Sequence, residues 1–151
     1  MPPHLRERPG APVLVVAGLA PSIALYAADA ALALGAERVD VLSPNPEVLR
    51  YAERIGAHAI EVGFDGKRGP YPITVDASAD PAGLRLAIES TDLEGVCTSP
   101  PPRRGSAGAD VQRGHPLPCR PLPCRGLIPE VAAAIADGRL HPDAIVTRRV
   151  A

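Results

Sequence analysis

The sequence predicts an α/β fold in which a parallel sheet carries helices on both faces. Three observations point there. Short, nearly continuous apolar runs recur along the chain, the look of strands buried on both sides. Most are followed by a segment with helix start and stop signals. The connections between them are short, so strand and helix alternate as they do around a parallel sheet.

Each element follows from its residues. VLVVAG (Val13–Gly18) is the first strand, closed by Gly18. PSIALYAADAALALG follows as a helix with Pro21 near its start, where a missing N–H costs nothing, and Gly35 at its end. Its expected inward face is Ile23, Tyr26, Ala27, Ala30 and Leu34. ERVDVL (Glu37–Leu42) is the second strand. Ser43 or Asn45 can cap the next helix, with Pro46 at its first position and Val48, Leu49, Ala52 and Ile55 on one face. HAIEV (His58–Val62) is the third strand and GFDGKRGPYP a polar loop. ITVDAS (Ile73–Ser78) is the fourth strand. Asp80 caps a helix that starts at Pro81 and runs through Leu84, Ala87 and Ile88, and EGVCTS (Glu94–Ser99) is the fifth strand. Right-handed crossovers turn this order into a doubly wound, Rossmann-like sheet.

After Ser99 the pattern stops. Residues 100–125 hold seven Pro, five Arg and three Gly, with neither a helical nor a strand period. The second half of the sheet is therefore expected to be incomplete. Order resumes with a helix beginning at Pro129, with Ile128, Val131, Ala132 and Ile135 apolar, and a strand AIVTRRV (Ala144–Val150). The expected division is a polar lead-in over 1–12, a nucleotide-binding core over 13–99, an irregular segment over 100–125, and a returning helix and strand over 126–151.

Bulk properties exclude several classes. At 151 residues and 46% hydrophobic content the chain can bury one core. A net charge of −1 gives no electrostatic case for nucleic acid or an anionic membrane. Three Cys (Cys97, Cys119, Cys124) form no disulfide framework, which fits a reducing cytoplasm. Val13–Ala36 is long and apolar enough to mimic a membrane span, but Gly18 and Pro21 break it into strand, turn and helix.

The blocks VLVVAGLAPSIALYAADAALALGAERVDVLSPNPEVLRYAERIGA, YPITVDASADPAGLRLAIESTDLEGVCTS and GLIPEVAAAIADGRLHPDAIVTRRV, in that order, resemble the cofactor domain of zinc-type, medium-chain alcohol dehydrogenases and the segment that follows it. The resemblance implies a domain binding NAD or NADP for zinc-assisted hydride transfer between an alcohol or aldehyde and the nucleotide. It places the family's GxGxxG on residues 19–24, where Leu19, Pro21 and Ala24 stand at the three glycine positions. Pro21 has no N–H to offer a pyrophosphate. The acidic residue that would hold the adenosine ribose falls on Ser43, with Arg50 the nearest cation in sequence. The cofactor contacts so implied are Gly18, Ala20, Ser22, Ile23, Ser43, Ser78 and Thr98.

The family's zinc ligands have no counterpart in the sequence, and about one strand's length of chain precedes Val13. No catalytic or metal residue is assigned, and hydride transfer needs the metal to polarise the substrate oxygen. The chain alone is therefore expected to be inactive. Two alternatives stand beside this: a non-catalytic module that binds a nucleotide or pairs with another subunit, and a decayed gene product. Partners are thus the nucleotide, a second copy or a separate catalytic domain.

Cys119 and Cys124 lie five apart in HPLPCRPLPCRG. A metal site would need further ligands at suitable spacing, and a polyproline ligand for a partner is a second reading. A third comes from the codons. Read one base later, His115–Gly126 can encode Thr-Pro-Phe-His-Ala-Gly-Arg-Cys-His-Ala-Gly, close to the family's sequence before its Leu-Ile-Pro-Glu-Val block. On that reading 100–125 is out of frame and its cysteines are accidental. Of the remaining polar residues, Asp76 and Asp80 read as capping groups, His58 and His141 as isolated surface residues, and Tyr26 as core.

Overall fold

The structure, a computed structural model, describes residues 2–18, 21–100 and 124–145. Five strands form one sheet: β1 (Val13–Ala17), β2 (Val39–Ser43), β3 (His58–Glu61), β4 (Tyr71–Ala77) and β5 (Thr91–Thr98). Their order is β3-β2-β1-β4-β5 and every pairing is parallel. This is the doubly wound, Rossmann-like arrangement expected from the alternation. The strands differ from expectation by a few residues at their ends. β4 starts two residues early at Tyr71, and β5 starts at Thr91, directly after a helix.

The register puts alternate residues on opposite faces. Val13, Val15 and Ala17 of β1 pack with Val39, Val41, Ile73 and Val75 in one core, against the helices α2 (Pro21–Ala33) and α3 (Pro46–Arg54). Leu14 and Val16 turn to the other face and meet Leu42, Leu86 and Ala87, the last two from α4 (Pro81–Glu89). All five residues of β1 are fully buried, so the central strand reads as an apolar run because it has no solvent face.

Helix α3 behaves as its sequence predicts: Asn45 caps it by accepting from the Glu47 N–H at 3.0 Å, and Val48, Leu49 and Ala52 are buried. Helix α2 does not. Its buried side is Ala24, Leu25, Ala28, Asp29 and Ala31, while Ile23 and Tyr26 face outward, 55% and 40% exposed. The alanines let the helix backbone lie close to the sheet, and that close approach outweighs the burial of the two bulkier side chains. Tyr26 is thus a surface residue rather than core.

The lead-in also has structure. Helix α1 (Pro2–Glu7) buries Leu5 in the first core, and Gly10 bridges to Ala36. Helix α5 runs from Cys124 to Ala136 with Pro129 inside it, so it begins ahead of the proline expected to start it. Its expected apolar face looks outward: Ile128, Val131 and Ile135 are exposed, and Ala134 is buried instead. Polar ties hold this region to the body, Arg6 to Glu130 at 2.7 Å and Arg139 to the Ala33 carbonyl at 3.2 Å. Residues 142–145 form a short helix, α6 (Pro142–Ile145), so Ala144 and Ile145 do not open a strand. The rest of the AIVTRRV segment, the irregular segment from 101 to 123, and Cys119 lie outside the described residues. Among the described residues no helix is long and apolar enough to cross a membrane.

Candidate functional site

In a doubly wound sheet the two helix layers part where strand order reverses, and a crevice opens beyond the carboxyl ends of the strands. Here the reversal falls at β1, with α2 and α3 on one face and α4 on the other. Gly18, which follows β1, meets Ser78, which follows β4. A side chain at Gly18 would collide with the Ser78 carbonyl. Gly83 in the first turn of α4 is pressed against the Ser78 side chain in the same way. Gly18 lets backbone close on backbone at the switch point, and Gly83 leaves room for the Ser78 side chain. The sequence reading assigned Gly18 but passed over Gly83, although a glycine inside a helix's first turn is a signal of close packing.

The assigned residues share the carboxyl edge of the sheet without all being free to act. Ser22 and Ile23 form the first turn of α2 and are exposed. The N–H groups of that turn have no partner within the helix, and they lie at the positive end of a 13-residue helix, a setting suited to an anion. Pro21, just before them, donates nothing. Ser43 ends β2, fully buried, and its hydroxyl accepts from the Asn45 N–H at 3.1 Å. Ser78 is buried and its hydroxyl is committed internally: it donates to Asp76 at 2.6 Å and accepts from the Asp80 N–H at 3.1 Å. Thr98 ends β5, and its hydroxyl is buried with no hydrogen-bond partner among the described residues. Ala20 lies outside the described residues, as does Leu19.

Asp76 organises this edge. It is buried, and Oδ1 accepts from both the N–H and the hydroxyl of Ser78, while Oδ2 accepts from the Ser99 hydroxyl at 2.8 Å. It therefore ties the end of β4 to the end of β5, a larger role than the helix capping expected of it. Asp80 does cap α4, accepting from the Ala82 N–H at 2.7 Å.

A second polar cluster sits at the opposite, amino-terminal end of the sheet. Asp40 on β2 is buried and takes Arg38 Nε at 2.8 Å, His58 Nδ1 at 2.8 Å and the Tyr71 hydroxyl at 2.6 Å. Burial first, and then the hydrogen bond to Asp40, push the Tyr71 phenol up to about 12. The Asp40 hydrogen bond likewise raises Arg38. His58 is thus half of a buried-carboxylate pair rather than isolated. His141 resembles it: its N–H donates to buried Asp29 at 2.7 Å. The one sign of either pair in the sequence was a charged residue inside an apolar period. Among the described residues no three His, Cys, Asp or Glu side chains gather as a metal site.

No family model matches the sequence, and no curated protein matches it. Solved structures do. An alcohol dehydrogenase of a Thermus species aligns with a TM-score of 0.72 at 24% identity, over 96% of this chain and 47% of that one. The 2R,3R-butanediol dehydrogenase of Bacillus subtilis aligns with a TM-score of 0.64 at 21% identity, over 95% and 45%. A Sinorhizobium meliloti protein described as a zinc-binding dehydrogenase, with NADP bound, gives 0.62 at 15% identity, over 99% and 54%. The chain spans about half the length of the structures it matches. The likeness is one of fold: the doubly wound parallel sheet of this chain is shared with about half the length of these dehydrogenase structures.

Proposed function

We propose that the chain is the NAD(P)-binding domain of a zinc-type alcohol dehydrogenase-like oxidoreductase. The observation that supports this best is the switch point itself. A parallel β3-β2-β1-β4-β5 sheet brings Gly18 against Ser78 between opposed helix layers, where this fold class receives nucleotides. The dinucleotide would supply the hydride chemistry; the residues of this chain would bind and orient it. The amides of Ser22 and Ile23 would face a pyrophosphate, the carboxyl end of β2 at Ser43, whose own side chain is buried against the Asn45 N–H, would lie beside the adenosine ribose, and Gly18 and Ser78 would shape the crevice wall. The unpartnered buried hydroxyl of Thr98 fits a polar group delivered to that edge, since an unmade buried hydrogen bond is costly. Ser43 carries no charge, so it neither repels a 2′-phosphate nor offers a carboxylate to a free 2′-hydroxyl. The described residues offer no donor set for zinc, and no metal-dependent step is assigned to them.

Titration of NADH and NADPH fluorescence against the intact chain tests the proposal. Saturable binding that Ser22→Asp weakens by about tenfold, through like-charge repulsion at the helix start, supports it. Equal affinity in the variant would remove the pyrophosphate from α2.

A second reading, a subunit-pairing module, has its own observation. β5 is an edge strand of the described sheet and projects Leu93 fully into solvent. Size-exclusion chromatography with light scattering would show a dimer that Leu93→Lys dissolves.

A further inference from the structure

We propose that the cleft beside α4 binds a free α-amino acid with an apolar side chain. The ligand's carboxylate meets Arg85, its ammonium meets Glu89, and its side chain lies on Phe64 and Leu86. The site shares no residue with the nucleotide contacts proposed above.

The cleft follows from the way the chain crosses from β3 to β4. Helices α2 and α3 cover one face of the sheet and α4 covers the other. The crossover, from Val62 to Pro70, forms no helix. It leaves a cleft of about 350 Å³ between Phe64 of the loop and Pro81, Arg85, Leu86 and Glu89 of α4. That size lies at the small end of small-molecule sites. The floor is apolar: Leu86 is buried, and half-buried Phe64 packs against the same core cluster.

The rim carries both signs of charge. Arg85 and Glu89 are four residues apart on α4, so their side chains leave one side of the helix about 6 Å apart. Both line the cleft. Neither makes a hydrogen bond or ion pair with a described residue, including each other. Arg ahead of Glu is the weaker order for a pair one helical turn apart, so their mutual attraction competes poorly with a ligand.

These features select a ligand by its charges. A lone anion at Arg85 would have Glu89 beside it, and a lone cation at Glu89 would have Arg85. A zwitterion satisfies both. The guanidinium fork matches two carboxylate oxygens, and an ammonium donates to Glu89. An α-amino acid holds both charges on one carbon, within the span of a helical turn. Its apolar side chain then leaves water at Phe64 and Leu86.

The test is an NMR titration of the full chain with L-leucine, N-acetyl-L-leucine and L-leucinamide, at fixed pH and ionic strength. Acetylation removes the ammonium and the amide removes the carboxylate. L-leucine is expected to give saturable shifts of the Phe64, Gly66 and Arg85 amide resonances. Each of the other two is expected to bind at least about threefold more weakly, the worth of an exposed ion pair. Arg85→Gln is expected to equalise L-leucine and L-leucinamide, and Glu89→Gln to equalise L-leucine and N-acetyl-L-leucine. Both side chains are exposed, so both variants are expected to melt as the native chain does. Ser22→Asp is expected to leave L-leucine binding unchanged, which separates this site from the nucleotide reading. Absence of saturable shifts overturns the proposal. Equal affinity for all three ligands would show an apolar slot only, and displacement of L-leucine by NADPH would assign the cleft to the nucleotide. Either of these results also overturns it.

Discussion

Gly18 and Ser78 stand so close that a methyl group on Gly18 would occupy the Ser78 carbonyl. One residue follows the central strand, the other follows its neighbour across the strand-order reversal. Their contact sets how closely β1 and β4 end together, and so the shape of the crevice above them. Gly18→Ala should cost about 3 kcal/mol, because the obstacle is backbone rather than a side chain that can turn away. Urea unfolding of the variant checks this. A midpoint within error of the native protein would mean that the edge relaxes freely.

Tyr71 makes stability depend on pH at the alkaline end. Its phenol is raised to about 12, chiefly by burial, against an ordinary value near 10. The folded state therefore holds a proton that the unfolded chain has released between those values. The contribution is complete below about pH 10 and is lost as pH rises towards 12. Stability of the native protein should fall more steeply over that window than stability of Tyr71→Phe. The variant should also lose about 2 kcal/mol at neutral pH, the worth of a hydrogen bond to a buried carboxylate. Parallel slopes would contradict the assignment.

Asp29 holds the carboxyl-terminal arm. It is buried in α2, yet it accepts from the His141 N–H at 2.7 Å and lies 3.4 Å from that ring. Asp29→Ala should release the arm while the sheet stays folded. Amide hydrogen exchange should speed up over residues 137–145 by about tenfold or more and change little in β1 and β4. Uniform acceleration across the sheet would show that Asp29 supports the whole core instead.

Apolar period and turn chemistry made most of the fold legible. Val13–Gly18 could be placed because a fully buried strand needs no polar alternation, and Pro46 and Pro81 because each follows a capping residue. The period of α2 misled because Ala24, Ala28 and Ala31 bury little area each and count little on a hydrophobicity scale. Close approach to the sheet is a property of backbone distance, which a sequence does not display. The candidate crevice was half legible. Gly18 and the first turn of α2 follow from order along the chain. The commitments of Ser43 to Asn45 and of Ser78 to Asp76 follow from strand ends meeting in space. The Asp40 cluster was invisible for the same reason: Arg38, Asp40, His58 and Tyr71 are spread over more than thirty residues and meet only through the register of β2, β3 and β4.

The central claim is that the crevice above β1 and β4 receives a nicotinamide dinucleotide. The most direct measurement is fluorescence titration of NADPH and NADH with the folded chain, alongside Ser22→Asp. The account predicts saturable binding of at least one nucleotide and about tenfold loss in the variant. A folded, cooperatively melting protein that leaves both nucleotides unbound at millimolar concentration would contradict it.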